Sequence, residues 1–367
     1  MRLAHIVGTR PQLIKAAALQ PALRASHDEV FIDTGQHWDE RMAGAFFDEL
    51  GLREPDRSLG IGGGTSAEQT GRLLVALEGA LRDVEPAAVV VYGDTNSTLA
   101  AALVAAKLDV PLAHVEAGLR SFDRRMPEEV NRVVTDHLAH WSFAPTETAV
   151  ANLAAEGLAD GVHLVGDVMR DLAARTLETI RDPRVLDGVA KAAGITLVPG
   201  AFLFATVHRA ENRAPDAVRG WAGVLEAVAR ADRPVVLALH PGTRAAIDAL
   251  GIELDPSVVV IEPLGYRSSL AMQLHAAAVL TDSGGVQRES AWLGTPCLVL
   301  RGTSEWVETL AGASASSVLV GLDAGGAREA IDRLAPADRA AADAARRAKE
   351  RTIETDGATQ SIARLLA

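Results

Sequence analysis

The 367-residue chain has one cysteine, Cys297, which excludes an intramolecular disulfide and a thiolate-rich metal site. That cysteine follows Pro296 in the apolar run CLVL and reads as a small buried hydrophobe. No apolar stretch approaches the ~20 residues needed to span a bilayer, so no membrane partner is expected. The opening MRLAHIVG is too short and interrupted for a signal peptide, and a reducing cytoplasm is the expected setting. Basic side chains are outnumbered, 36 against 48 acidic ones, for a formal charge of −12. Nucleic acid and anionic surfaces are therefore poor partners. No strand is followed by GxGxxG, which argues against a dinucleotide cofactor, and no GxxxxGK motif with a following Ser or Thr supports ATP hydrolysis. A GxSxG elbow is missing, and no His, Cys, Asp and Glu set has metal-ligand spacing, so neither a cofactor nor a metal is expected.

What remains is ordinary globular material, 48% hydrophobic and 23% charged, long enough for two domains. Continuous apolar runs alternate with helical patterns. LAHIV (3–7), AAVVVYG (87–93), PLAHVEAG (111–118) and WSFAP (141–145) are separated by helical stretches, among them Pro11–Ala25, Ser66–Val84, Ser97–Lys107 and Glu128–Leu138. The rhythm resumes after residue 200 with AFLFATV, PVVLALH, SVVVIEP, AAVLTDS and PCLVLR. Strands without alternation, each followed by a helix, predict parallel sheets buried on both faces. The weakly periodic Asp182–Gly200 reads as a linker, and the alanine- and arginine-rich chain after Ala335 as helix. Two doubly wound α/β domains with a cleft between them are expected: residues 1–180, residues 181–350, and a terminal helix, 351–367, packing back on the first domain.

Ligands in such sheets sit beyond the carboxyl ends of the strands, which directs attention to the residues there. These are Gly8-Thr9-Arg10-Pro11 with Lys15 on the following helix, Thr34-Gly35-Gln36-His37, Gly93-Asp94-Thr95-Asn96, and His114 to Arg120. Pro127-Glu128-Glu129 opens a helix that continues through Asn131 and Arg132, and the second half adds His208-Arg209, HPGTR (240–244) and Asp282-Ser283-Gly284-Gly285. Ser283-Gly284-Gly285 gathers unpaired amides and the positive end of a helix where a phosphate can bind, with Glu289 placed to accept from ribose hydroxyls; a plain helix cap is the alternative. Asp94 is either a cap or a reacting group. One of Glu128 and Glu129 only relieves a helix dipole. An acid closing an apolar strand is costly unless paired or used, so Glu116 is either reactive or the partner of Arg120 or Arg10. His208 is a satisfied buried imidazole or an acid/base; His5, His163 and His275 read as core or surface.

Taken in order, GTRPQLIK, TGQH, GDTNST, HVEAGLRSFDRRMPEEVNR, His208-Arg209, HPGTR and TDSGGVQRES resemble the non-hydrolysing UDP-N-acetylglucosamine 2-epimerases and relatives acting on other UDP-2-acetamido sugars. The likeness runs from residue 1 to about Gly321. It implies a glycosyltransferase-B-type architecture and a homodimer, without metal or nicotinamide cofactor, on a UDP-sugar substrate. It also implies catalytic roles for Asp94, Glu116, Glu128 and His208, and substrate contacts for Arg10, Lys15, Arg244, Ser283, Gly284, Gly285 and Glu289. In the family UDP leaves C1 as the C2 proton departs, then adds back to the resulting 2-acetamidoglucal. Such chemistry needs a base and an acid on opposite faces and fixed positive charge on the diphosphate. A hydrolysing relative, which releases N-acetylmannosamine and UDP, is the alternative on the same architecture. Trp306 stands where well-known bacterial members carry an arginine. RMPEE and EWVE look more like the branch that includes UDP-2,3-diacetamido-glucuronate 2-epimerases, where Arg124 and Arg125 are either partners of a C6 carboxylate or a solvated basic face.

Overall fold

The computed structural model describes residues 1–36, 47, 49–310, 316–334 and 357–367. His37 and residues 335–356, which include most of the helical stretch expected after Ala335 and the start of the terminal helix, lie outside the described residues. Two compact units emerge, one of Met1–Leu172 with Thr355–Ala367 and one of Ala173–Glu354.

The first unit holds a seven-stranded parallel sheet: β1 (Arg2–Val7), β2 (Asp28–Asp33), β3 (Arg57–Ser58), β4 (Ala88–Tyr92), β5 (Leu112–Val115), β6 (Trp141–Ala144) and β7 (Val162–Leu164). Its order is β3-β2-β1-β4-β5-β6-β7. β1 pairs Leu3 with Glu29 on one side and with Ala88 on the other. The chain thus reverses its direction of sheet growth between β1 and β4, the point in such a sheet beyond whose strand ends ligands bind. Every residue of the central β4 is buried, as its uninterrupted AVVVY requires in a sheet covered on both faces. Helix Ser66–Val84 starts at a reciprocal cap, Thr65 with Glu68, and lays Leu73, Leu77 and Leu81 into the core formed with Ile6, Val89 and Val91. The closing helix Ala358–Leu365 belongs to this unit and packs on helix Arg10–Ser26. Asp171 accepts at its N-terminal end from the amides of Gly357 and Thr359 and from Thr359 Oγ1.

The second unit repeats the design with six strands, β8 (Leu203–Val207), β9 (Val235–Leu239), β10 (Val258–Ile261), β11 (Ala278–Thr281), β12 (Cys297–Val299) and β13 (Ser317–Leu319), in the order β10-β9-β8-β11-β12-β13. Here the reversal falls between β8 and β11, whose Thr206 and Thr281 are register partners joined through their hydroxyls at 2.8 Å. Leu203, Ala205, Leu237 and Leu280 centre a core closed by Trp221 and Leu225. Both sheets are parallel and Rossmann-like, the layout of glycosyltransferase-B-type proteins.

The segment expected to be a linker is structured. Asp182 accepts from the Arg184 amide at 3.0 Å and opens a 3₁₀ turn, Pro183–Leu186, which runs into helix Asp187–Ala193. A turn and a seven-residue helix are too short to show periodicity, but Asp followed by Pro is a helix start. Among the described residues no helix is long and apolar enough to cross a membrane.

Candidate active site

In the first unit the loops after β1, β4 and β5 bring four charged groups into a row. Lys15 reaches from helix Arg10–Ser26, and its Nζ lies 2.8 Å from Glu116 Oε2. Arg132, on helix Pro127–Leu138, hydrogen-bonds the Asp94 carboxylate and places the same nitrogen 3.9 Å from Glu116 Oε1. The order Lys15, Glu116, Arg132, Asp94 alternates in sign, so each buried charge has an opposite neighbour. Two backbone features make the row possible. Gly93 turns at φ +59°, and a Cβ there would stand 3.3 Å from Lys15 Nζ and 3.6 Å from Glu116 Oε1. Glu116 itself sits at φ +72°, a left-handed conformation costing about 1–2 kcal/mol for a residue with a side chain. Strain of this kind persists only where surroundings enforce it, and it gathers at functional sites.

A buried network enforces it. Asp136 accepts from His114 Nδ1 at 2.6 Å, from the Gly118 amide at 3.1 Å and from Arg120 at 2.7 Å. His114 Nε2 bonds the Gly93 carbonyl at 2.8 Å, tying both loops together. Burial alone would raise the Asp136 pKa, but the His114 and Arg120 charges outweigh it and hold the carboxyl below its usual range. Arg120 also forks onto Glu156 at 2.7 and 2.8 Å. Arg120 is thus taken up by Asp136 and Glu156, and Glu116 pairs with Lys15. The cap of helix Asn96–Lys107 is likewise Thr95, whose hydroxyl accepts from the Thr98 amide, leaving Asp94 to Arg132.

The two glutamates of helix Pro127–Leu138 divide sharply. Glu129 is buried and accepts from Ser121 N (2.8 Å), Ser121 Oγ (2.9 Å) and Phe122 N (3.0 Å). Glu128 is exposed and, among the described residues, makes no hydrogen bond or ion pair; it lies one turn before Arg132 on the same helix face. Asn131 bonds the Asp94 carbonyl at 2.9 Å. Arg10 is half-buried at its helix start, and burial pulls its pKa down against the opposing effect of Glu49.

In the second unit, His208 follows β8 and Asp282 follows β11. His208 Nδ1 lies 3.1 Å from Asp282 Oδ1, with the imidazole 46% exposed and the carboxylate fully buried. The satisfied buried histidine considered for position 208 is thus excluded. Ser283 caps helix Gly284–Leu293 by accepting from the Val286 amide. A Cβ on Gly284 would meet Glu305 Oε1 at 2.8 Å and Trp306 Nε1 at 2.9 Å, so only glycine leaves the helix end open beside them. Glu305 is held by Arg301 (2.8 Å) and Arg209 (3.3 Å). Trp306 is buried under the Arg288 guanidinium, 3.8 Å above its ring. Glu289 is buried and accepts from Gln273 at 2.7 Å, whereas Arg244 pairs on the surface with Glu262 at 3.2 Å.

The sequence-predicted residues thus fall into two sets. Lys15 pairs with Glu116, and Arg132 links Glu116 to Asp94; His208 pairs with Asp282, which directly precedes Ser283-Gly284-Gly285 in the chain. Glu128 makes no hydrogen bond or ion pair with either set among the described residues, while Arg244 pairs with Glu262 and Glu289 accepts from Gln273. Arg132 and Asp282 carry no role in the sequence reading. Their signals were position, one turn after Glu128 and immediately before the SGG turn.

A family model described as UDP-N-acetylglucosamine 2-epimerase matches residues 21–367. A UDP-2,3-diacetamido-2,3-dideoxy-D-glucuronate 2-epimerase of Pseudomonas aeruginosa is 42% identical over 97% of this chain and 95% of its own length. A UDP-N-acetylglucosamine 2-epimerase of Methanocaldococcus jannaschii is 40% identical over 84% and 86%. The crystal structure of the Methanocaldococcus jannaschii UDP-GlcNAc 2-epimerase in complex with UDP-GlcNAc and UDP superposes with a TM-score of 0.84 at 36% identity, covering all of this chain and 99% of that one. The chain belongs to the UDP-N-acetylglucosamine 2-epimerase family, a family of isomerases.

Proposed function

We propose that the protein interconverts UDP-N-acetylglucosamine and UDP-N-acetylmannosamine at C2 without net hydrolysis. A C2 proton next to no carbonyl is too weakly acidic for simple removal and return. The C2–H bond breaks to a carboxylate or imidazole while the C1–O bond breaks to release UDP, leaving a C1–C2 double bond in 2-acetamidoglucal. UDP oxygen then re-forms the bond to C1, and a proton is delivered to the other face of C2. The steps need proton transfer and fixed charge only. Asp94, Glu116, Glu128 and His208 carry the proton transfers. Arg10, Lys15, Arg244 and the amides at Ser283, Gly284 and Gly285 hold the nucleotide, with Glu289 at the ribose. The family resemblance adds a homodimer and a cytoplasmic location.

The observation that carries this reading is the strained Glu116 held between Lys15 and Arg132 beside Asp94 at the carboxyl ends of β4 and β5. Turnover in deuterated water tests it: both epimers should gain deuterium at C2, with no free N-acetylmannosamine accumulating. A second reading, a UDP-2,3-diacetamido-glucuronate substrate, is favoured by the 42% identity to the Pseudomonas aeruginosa relative. Arg125 is tied to Asp123 at 2.7 Å, which leaves the exposed Arg124 as the cation for a C6 carboxylate. A panel of UDP-sugars differing at C3 and C6, assayed for C2 exchange, separates the two.

A further inference from the structure

Asp282 is fully buried, and every group that faces it donates. Its Oδ2 accepts from the Arg209 amide (2.9 Å), the His208 amide (3.1 Å) and Asn212 Nδ2 (2.8 Å). Its Oδ1 faces the His208 amide (3.2 Å) and His208 Nδ1 (3.1 Å). Asn212 is itself fixed, since its carbonyl accepts from the indole N–H of the wholly buried Trp221 at 3.0 Å. The carboxylate is thus set in the core of the second unit, while the ring it touches is nearly half exposed. Among the described residues Nε2 of that ring has no hydrogen bond.

We infer that Asp282 is a positioning residue for His208: it fixes the ring as the Nδ1–H tautomer and leaves Nε2 as the nitrogen that exchanges a proton with the substrate. An unprotonated Nδ1 would set a lone pair against a carboxylate oxygen, with no hydrogen on either atom, whereas Nδ1–H completes the ring of donors around Asp282. The same second partner also fixes the plane of the ring, which matters for a side chain with this much open surface. The kinetic part of the inference rests on the epimerase reading; the tautomer does not.

The substitution Asp282→Asn discriminates. Its amide oxygen takes the position facing three N–H donors, which turns the NH₂ group toward His208 Nδ1 and forces the Nε2–H tautomer. The expected result is a kcat at least ~100-fold lower with KM changed by less than about threefold, because the substrate contacts stay in place. Two-bond ¹⁵N–¹H NMR on ¹⁵N-histidine protein, with the His208 signals identified by their loss in His208→Ala, reads the tautomer directly. The wild type should show a protonated Nδ1 and a bare Nε2 when the ring is neutral, and Asp282→Asn should show the reverse. The wild-type spectrum alone decides the matter should the variant fold poorly. A neutral wild-type ring protonated at Nε2, or a folded Asp282→Asn enzyme with undiminished kcat, overturns the inference. Failure of the epimerase reading would look different: no C2 exchange by the wild type on any UDP-sugar, with His208 still in the Nδ1–H form.

Discussion

Lys15 Nζ stands 2.8 Å from Glu116 Oε2, with only 10% and 9% of the two side chains exposed, and Glu116 holds that position at a left-handed φ of +72°. A pair so far from water depends on both members, and removing Lys15 takes from Glu116 its nearest cation, leaving Arg132 at 3.9 Å, at a cost of up to about 3 kcal/mol. Lys15→Met should therefore lower the unfolding free energy by about 3 kcal/mol in urea melts. Glu116→Gln should cut the C2 exchange rate at least ~100-fold, as expected for a positioned acid/base group. Wild-type rates in Glu116→Gln would remove that residue from the chemistry.

The neighbouring glutamates of helix Pro127–Leu138 should separate activity from stability. Glu129 satisfies three donors of the loop at Ser121 and Phe122, so Glu129→Ala leaves buried N–H groups without an acceptor and should cost about 2–3 kcal/mol. Glu128 satisfies none among the described residues. Glu128→Gln should leave the melting curve within about 0.5 kcal/mol of wild type while reducing turnover ~100-fold. Equal stability losses in the two variants would contradict this division.

Asp282 sets an acid limit. Burial raises its pKa, but His208, Asn212 and the Arg209 amide outweigh that and bring it down to about 2. A carboxyl whose folded pKa lies below its unfolded value of roughly 3.9 adds stability that is complete above that value and lost as pH falls toward the folded one. The stability gap between wild type and Asp282→Asn should accordingly shrink by about 2 kcal/mol between about pH 5 and about pH 2. A gap that stays constant across that range would show that Asp282 is not held ionised by its donors.

The doubly wound sheets were legible because AVVVY and VVLAL are uninterrupted apolar runs and LFATV breaks only at Thr206, the composition of strands buried on both faces. The positions of Gly93, Asp94, Glu116, His208 and Ser283 followed from the rule that ligands gather at strand ends. Partners were less legible. Glu116 and Lys15 are about a hundred residues apart in sequence, and only the adjacency of β1, β4 and β5 brings them together. Arg120 looked like the closer partner in sequence, yet the Asp136 and Glu156 carboxylates, contributed by later helices, claim it. The left-handed turn at Glu116 has no signature in its residue type, because glutamate seldom adopts it. The short helix within Asp182–Gly200 escaped because seven residues do not complete two turns of periodicity.

The most direct measurement is the fate of the C2 hydrogen. Incubation with UDP-N-acetylglucosamine, and separately with UDP-2,3-diacetamido-glucuronate, in deuterated water should yield for the true substrate both epimers carrying deuterium at C2, with UDP fully retained at equilibrium. Epimers formed with the original hydrogen still at C2, or no epimer from either sugar, would contradict a reaction that breaks the C2–H bond.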